Sequence, residues 1–141
     1  MSVDKKIEIT IQAVVNAPIE KVWEYWSAPL HITKWNAASA DWHTPWAKND
    51  LRAGGTFVSR MESRDGKMGF DFGGTYDDVK KHELIAYTMG DGRKAKVTFT
   101  KNRKETKIVE TFDAESTNSV ELQKNGWQSI LNNFKKYVEG N

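Results

Sequence analysis

The sequence predicts an α+β fold: a curved antiparallel sheet of about six to seven strands around a long C-terminal helix, with two short helices after the first strand. Three observations predict it. Apolar and polar residues alternate with period two in runs about ten residues apart, separated by turn residues, over most of 40–112. Two short apolar stripes at helical spacing follow the first such run. One long helical stripe ends the chain. The 141 residues are expected to form one domain, 1–141, large enough to bury a true core.

Ile7, Ile9, Ile11 and Ala13 alternate with Glu8, Thr10 and Gln12, the pattern of a half-buried strand. Asn16-Ala17-Pro18 stops it, with Asn16 as a helix cap and Pro18 in a first turn, where a missing N–H costs nothing. Ile19, Val22, Trp23 and Trp26 then form one helical face. Pro29 interrupts it, and Leu30, Ile32, Thr33 and Trp35 suggest a second short helix. Residues 41–48 read as a strand carrying Trp42 and Trp46. In 56–62, Phe57, Ser59 and Met61 share a face. Arg64-Asp65-Gly66 contains a hairpin signal. Met68, Phe70, Phe72, Gly74 and Tyr76 line the next strand, and 84–89 the one after a polar turn at 80–83. Gly90-Asp91-Gly92 is a tight turn, Ala95, Val97 and Phe99 alternate beyond it, and 107–112 closes an antiparallel meander. Asn118 and Glu121 resemble a capping box. Trp127, Ile130, Leu131, Phe134 and Val138 make the stripe of a helix of about 20 residues, roughly 30 Å long, which Gly140 ends.

Composition excludes several classes. With no cysteine, there is no disulfide framework, thiolate zinc site, iron–sulfur cluster or cysteine nucleophile. A net charge of +2 argues against a general nucleic-acid binder. No apolar run approaches the ~18 residues of a membrane span, and the leading MSVDKK is unlike a signal peptide. A cytoplasmic protein without integral membrane association is expected. Six tryptophans in so short a chain will dominate a core or a pocket.

A sheet of this size curls, and one helix covers only part of its concave face. The inward set comprises Phe57, Met61, Phe70, Phe72, Tyr76, Tyr87, Met89, Val97, Phe99, Trp127, Ile130, Leu131 and Phe134. Such residues ordinarily fill a core. Here the layout favours a pocket between sheet and helix, with its mouth near Trp35, Trp42 and His43. Gly126, inside the helix at a cost of about 1 kcal/mol against alanine, is expected to admit the close approach of a strand or a ligand.

The order of elements resembles the helix-grip fold shared by the birch-pollen allergen, lipid-transfer START domains and aromatic polyketide cyclases. Within it the motifs are similar to the branch named for the activator of the heat-shock protein 90 ATPase. They are Ala17-Pro18-Ile19-Glu20-Lys21-Val22-Trp23, Trp35, Leu51-Arg52-Ala53-Gly54-Gly55-Thr56-Phe57, Gly74-Thr75-Tyr76-Asp77-Asp78-Val79, Glu83-Leu84-Ile85-Ala86-Tyr87-Thr88 and Gly126-Trp127. The resemblance spans about residues 5–139. It implies a hydrophobic cavity between sheet and long helix. The family's usual proline before the Glu-Leu pair is replaced by Lys80-Lys81-His82. The chain leaves no room for the additional N-terminal domain of the eukaryotic activators, which weakens transfer of their co-chaperone role.

Sharper chemical signals are few. Gly90-x-Gly92-x-x-Ala95 mimics a dinucleotide fingerprint, but a strand follows it where a helix is required, so it is a hairpin turn. Gly66-Lys67 lacks the rest of a P-loop. His31, His43 and His82 have no partner at ligand spacing and read as surface or capping residues. No cofactor or metal is expected. Asp71 and Glu110 read as solvent-facing. A slip in alternation would turn either inward, where desolvation raises a carboxyl pKa as it does for a general base. Arg60 is expected outside, paired across strands with a carboxylate. Arg93, Lys94, Lys96, Lys101, Arg103, Lys104 and Lys107 make a basic hairpin. It reads as a solvated edge or as a surface that steers an anion.

The first functional expectation is a non-enzymatic binder of a small apolar or amphipathic molecule. Its site would be Trp35, Trp42, His43, Phe57, Met61, Phe70, Phe72, Tyr76, Tyr87, Met89, Phe99, Trp127, Ile130, Leu131 and Phe134. The second is a chaperone-associated interaction domain using the basic hairpin or an exposed aromatic patch. The third is a cyclase- or hydrolase-like enzyme using His43 or an inward carboxylate, for which no nucleophile–base pair is evident and no catalytic residue is assigned.

Overall fold

A computed structural model describes residues 7–141; the leading MSVDKK stretch lies outside the described residues. The β-branched alternation at the start forms strand β1 (Glu8–Val15), with Ile9, Ile11 and Val15 buried. Helices α1 (Ile19–Ser27) and α2 (Pro29–Trp35) follow, broken at Ala28 because Pro29 has no N–H to continue the first helix. The sheet continues through β2 (Trp42–His43), β3 (Ala47–Asn49), β4 (Thr56–Ser63), β5 (Gly69–Lys80), β6 (Leu84–Met89), β7 (Lys94–Asn102) and β8 (Glu105–Asp113). The long helix α3 (Val120–Glu139) closes the order.

All pairings are antiparallel, in the order β1-β8-β7-β6-β5-β4-β2, with β3 also on β4. The sheet therefore has seven positions across, the last shared by two short strands. One expected strand is thus split. Pro45 interrupts the 41–48 run, and its two halves pair separately with β4 through Trp42–Ser63 and Ala47–Ser59. A bulge between Tyr76 and Asp78 bends β5 and lets Tyr76 and Val79 both face inward. Gly74 lets β5 run close against β6: a Cβ there would sit 2.2 Å from the Thr88 carbonyl oxygen.

Two expected caps are corrected. The N-cap of α1 is Pro18, without a side-chain bond, while Asn16 uses its backbone N–H to reach Glu139 Oε2 at 2.7 Å. The cap of α3 is Ser119 rather than Asn118, its hydroxyl accepting from the Leu122 N–H at 3.1 Å.

Helix α3 packs mainly against β1, at one edge of the curl. Leu131, Phe134 and Val138 are its buried apolar residues. The concave face of β4, β5 and β6 is left without a helix directly upon it. Helices α1 and α2 close one end with a knot of rings. Trp26 and Trp35 each stand edge-on to Phe134 at 4.9 Å, and Trp23 and Trp26 stand edge-on to Phe99 at 5.2 and 5.6 Å.

Candidate functional site

The gap between the off-centre helix and the curved sheet is a cavity of about 400 Å³, within the size range of small-molecule sites. Its walls are largely aromatic. Trp26 and Trp35 form the end beneath the short helices, Phe57, Phe72, Tyr76 and Tyr87 the sheet floor, and Trp127 and Ile130 the roof on α3. The rings brace one another. Phe57 lies 5.0 Å from both Tyr76 and Tyr87, and Phe72 stands edge-on to Trp127 at 6.0 Å.

Nine expected residues line this space together: Trp35, Phe57, Met61, Phe70, Phe72, Tyr76, Tyr87, Trp127 and Ile130. Phe70 is half exposed and, like the exposed Leu122, marks the mouth of the cavity. The other six lie elsewhere. Met89, Phe99, Leu131 and Phe134 are buried core residues: Phe99 packs against Trp23 and Trp26, and Phe134 against Trp26 and Trp35, so the short helices cover them. Trp42 reaches the mouth only through its neighbour Phe70, ring centres 6.0 Å apart. His43 pairs in register with Glu62, its Nε2 3.9 Å from a Glu62 oxygen, on the opposite side of β4 from Met61. Val97 of the inward set is likewise buried core.

None of the histidines lines the cavity. His31 stacks on Tyr25 at 3.9 Å, with Nδ1 hydrogen-bonded to the Tyr137 hydroxyl at 2.7 Å. His82 sits in the β5–β6 turn in a left-handed conformation, φ 66°, with its ring against Trp23. Arg60 is paired on the outer face with Glu62 and Asp71 at 2.9 and 3.1 Å, as expected, so Asp71 faces out.

Glu110 does not face out. It is 6% exposed and lines the cavity. No slip in alternation is involved: Ile108, Glu110 and Phe112 point the same way at period two. Across the sheet its row is Ile11 on β1, Val97 on β7 and Ile85 on β6, all aliphatic. Among the described residues nothing hydrogen-bonds its carboxyl. Burial alone pushes its pKa up to about 8. Tyr87 feels the same enclosure: burial first, and then the nearby Glu110 charge, push its phenol well above the ordinary value.

Several other polar lining groups are engaged within the protein. The Tyr76 hydroxyl donates to Asn49 Oδ1 at 2.5 Å, and Asn49 Nδ2 donates to the Ser27 carbonyl at 2.7 Å. Gln123 holds the β8–α3 loop. Its Nε2 donates to the Glu115 and Asn118 carbonyls at 3.1 and 2.9 Å, and its Oε1 accepts from the Glu115 N–H at 2.8 Å. Gly126 lines the roof with no atom within 4 Å of the position a Cβ would take. No strand approaches it. The missing side chain leaves open volume.

Of the seven hairpin cations, Arg93 and Lys94 are paired with Asp91 and Asp77 at 2.7 and 3.8 Å. The other five are exposed and have no ion-pair partner among the described residues. No helix among the described residues is long and apolar enough to cross a membrane.

Comparison with known proteins agrees with this architecture. The family model of activator of Hsp90 ATPase homolog 1-like proteins matches residues 16–139. An AHSA1-like protein from Aeromonas hydrophila superposes with a TM-score of 0.90 at 44% identity, covering 95% of this chain and 93% of that one. A protein from Cytophaga hutchinsonii is 57% identical with a TM-score of 0.82, covering 94% and 92%. A protein from Nitrosomonas europaea keeps the fold, TM-score 0.80, at 16% identity over 95% of both chains. No curated protein matches the sequence significantly.

Proposed function

Since the chain belongs to the family of activator of Hsp90 ATPase homolog 1-like proteins, we propose that it binds a small apolar or amphipathic molecule in the cavity between sheet and helix. The observation that carries this reading is Gly126. A helix-interior glycine is unfavourable by about 1 kcal/mol against alanine, and here it faces open cavity with nothing for a side chain to strike. Its local effect is to preserve volume where Trp127 and Ile130 form the roof. Burial of ligand surface would supply roughly 25 cal/mol per Å², and the half-exposed Phe70 and exposed Leu122 give an apolar approach.

Mass spectrometry of small molecules released from protein purified without denaturation tests this. An apolar or amphipathic compound retained by the wild type and lost from Gly126→Leu supports the reading. Equal retention by both variants, or none by either, contradicts it.

A second reading, docking to a chaperone, is favoured by the five unpaired cations of the β7–β8 hairpin and by the family's name. Addition of a purified chaperone should then shift amide signals of that hairpin and leave the cavity residues unmoved.

A further inference from the structure

The geometry points to Glu110 as the polar anchor of the cavity, and to a ligand that joins an apolar body to a basic amine, its ammonium nitrogen seated on the Glu110 carboxylate. This rests on the cavity-binding reading and adds the chemical class of the ligand.

Glu110 is more than nine-tenths buried, opens onto the cavity, and has no hydrogen-bond or ion-pair partner among the described residues. Buried polar side chains are nearly always partnered, and an unpaired buried carboxylate is costly. The sheet cannot supply a partner, because the adjoining residues in its row are Ile11 and Val97. The missing group must therefore enter through the cavity.

The charges around the site select its sign. The titratable or charged residues that line the cavity besides Glu110 are Tyr76, Tyr87, Arg93, Glu115 and Lys48. Tyr76 is engaged with Asn49. Arg93 is held on the Asp91 carboxylate at 2.7 Å and reaches the Asp113 carbonyl at 3.3 Å. Glu115 is occupied by the Thr117 and Asn118 N–H groups at the loop. Lys48 lies over Trp46, 5.7 Å from its ring centre. From α3 the lining contributes Leu122, Gln123, Gly126, Trp127 and Ile130, none of them charged; β1 contributes no lining residue, and β7 none beyond its preceding turn. No cation pairs with Glu110, and burial is the sole cause of its shifted pKa. A carboxylate ligand would therefore find no positive partner at this carboxyl, whereas an ammonium can pair with its ionised form, and the ring faces of the cavity attract cations.

At neutral pH the isolated carboxyl is mostly protonated, its pKa raised by burial to about 8. Seating an ammonium on it forms the carboxylate–ammonium pair and releases the carboxyl proton to solvent. Amine affinity should therefore rise by about tenfold per pH unit below 8 and level off above it.

Phenylbutylamine, phenylbutanol and phenylbutanoate share one apolar body and serve as probes in calorimetric titrations of the full chain. The amine is expected to bind at least tenfold more tightly than the alcohol at pH 8, to release close to one proton at pH 7, and to lose both properties in Glu110→Gln. Alcohol affinity should change less than threefold in that variant. Cooperative thermal unfolding of Glu110→Gln at a midpoint no lower than that of the wild type, and the pH slope of wild-type amine binding, separate anchoring from folding. Equal binding of amine and alcohol, tighter binding of the acid, or a pH-independent amine affinity would overturn the anchor while leaving the cavity reading intact. Failure of all three probes, with no shift of the Trp127 signals, would overturn both.

Discussion

Trp127 lies flat on Phe112, ring centres 3.8 Å apart and planes within 10° of parallel. This stack ties the middle of α3 to the end of β8, two residues along from Glu110. It fixes one side of the gap between helix and sheet, while the lean of α3 towards β1 leaves the other side open. Local packing and cavity are thus parts of one arrangement: the residue that clamps the helix also forms the roof.

Trp127→Ala should cost about 3 kcal/mol of stability in denaturant unfolding, and Trp127→Phe appreciably less. Ligand affinity should fall further in the alanine variant than the loss of ring area alone implies, since the roof is no longer positioned. Unchanged unfolding midpoints for both would show that the stack does not hold the helix.

Gly126 separates binding from stability. Gly126→Ala should raise stability by up to about 1 kcal/mol, because no atom obstructs the new methyl group. Gly126→Leu should keep the fold and lose binding of apolar probes by tenfold or more. Paired thermal melts and probe titrations check both; a destabilised alanine variant would mean that the roof is closed at this point.

Glu110 makes stability depend on pH. Its folded pKa, about 8, lies above the ordinary 4.5. Between those values the folded state therefore holds more protons than the unfolded chain. This contribution is fully present below pH 4.5, is lost progressively as pH rises to 8, and amounts to a few kcal/mol at most. Glu110→Gln should flatten that part of the stability profile. A wild-type profile that rises steadily from pH 5 to 8, with the variant unchanged in slope, would contradict the buried acid.

Much of this arrangement is legible in the residues. The alternation of Ala95, Val97 and Phe99, the Asp65-Gly66 turn and the 127/130/131/134/138 stripe fix the meander and its helix. Glu110 was legible too, since Ile108 and Phe112 flank it at period two; a charged side chain invites a solvent-facing assignment that its register contradicts. The distinction between wall and core was not legible. Phe99, Leu131 and Phe134 share the periodicity of Phe57, Trp127 and Ile130, and only the packing of the three helices on the sheet sorts them. Gln123 gave no signal, because its partners are backbone groups of a loop.

Gln123→Ala should cost about 2 kcal/mol, since the Glu115 N–H and two carbonyls lose their partner together. Amide exchange over 114–119 should quicken by tenfold or more while that of β7 stays slow. Unchanged exchange in that segment would show that the loop is held by its own turns.

The most direct test of the account is a two-dimensional NMR titration of the wild-type protein with a panel of small apolar and amphipathic compounds, followed at every backbone amide and tryptophan indole. Binding in the cavity predicts saturable shifts at Phe57, Phe72, Tyr87, Gly126 and the Trp127 indole, with the hairpin amides at 101–107 unmoved. A panel that shifts none of the lining residues, or shifts only the hairpin, contradicts it.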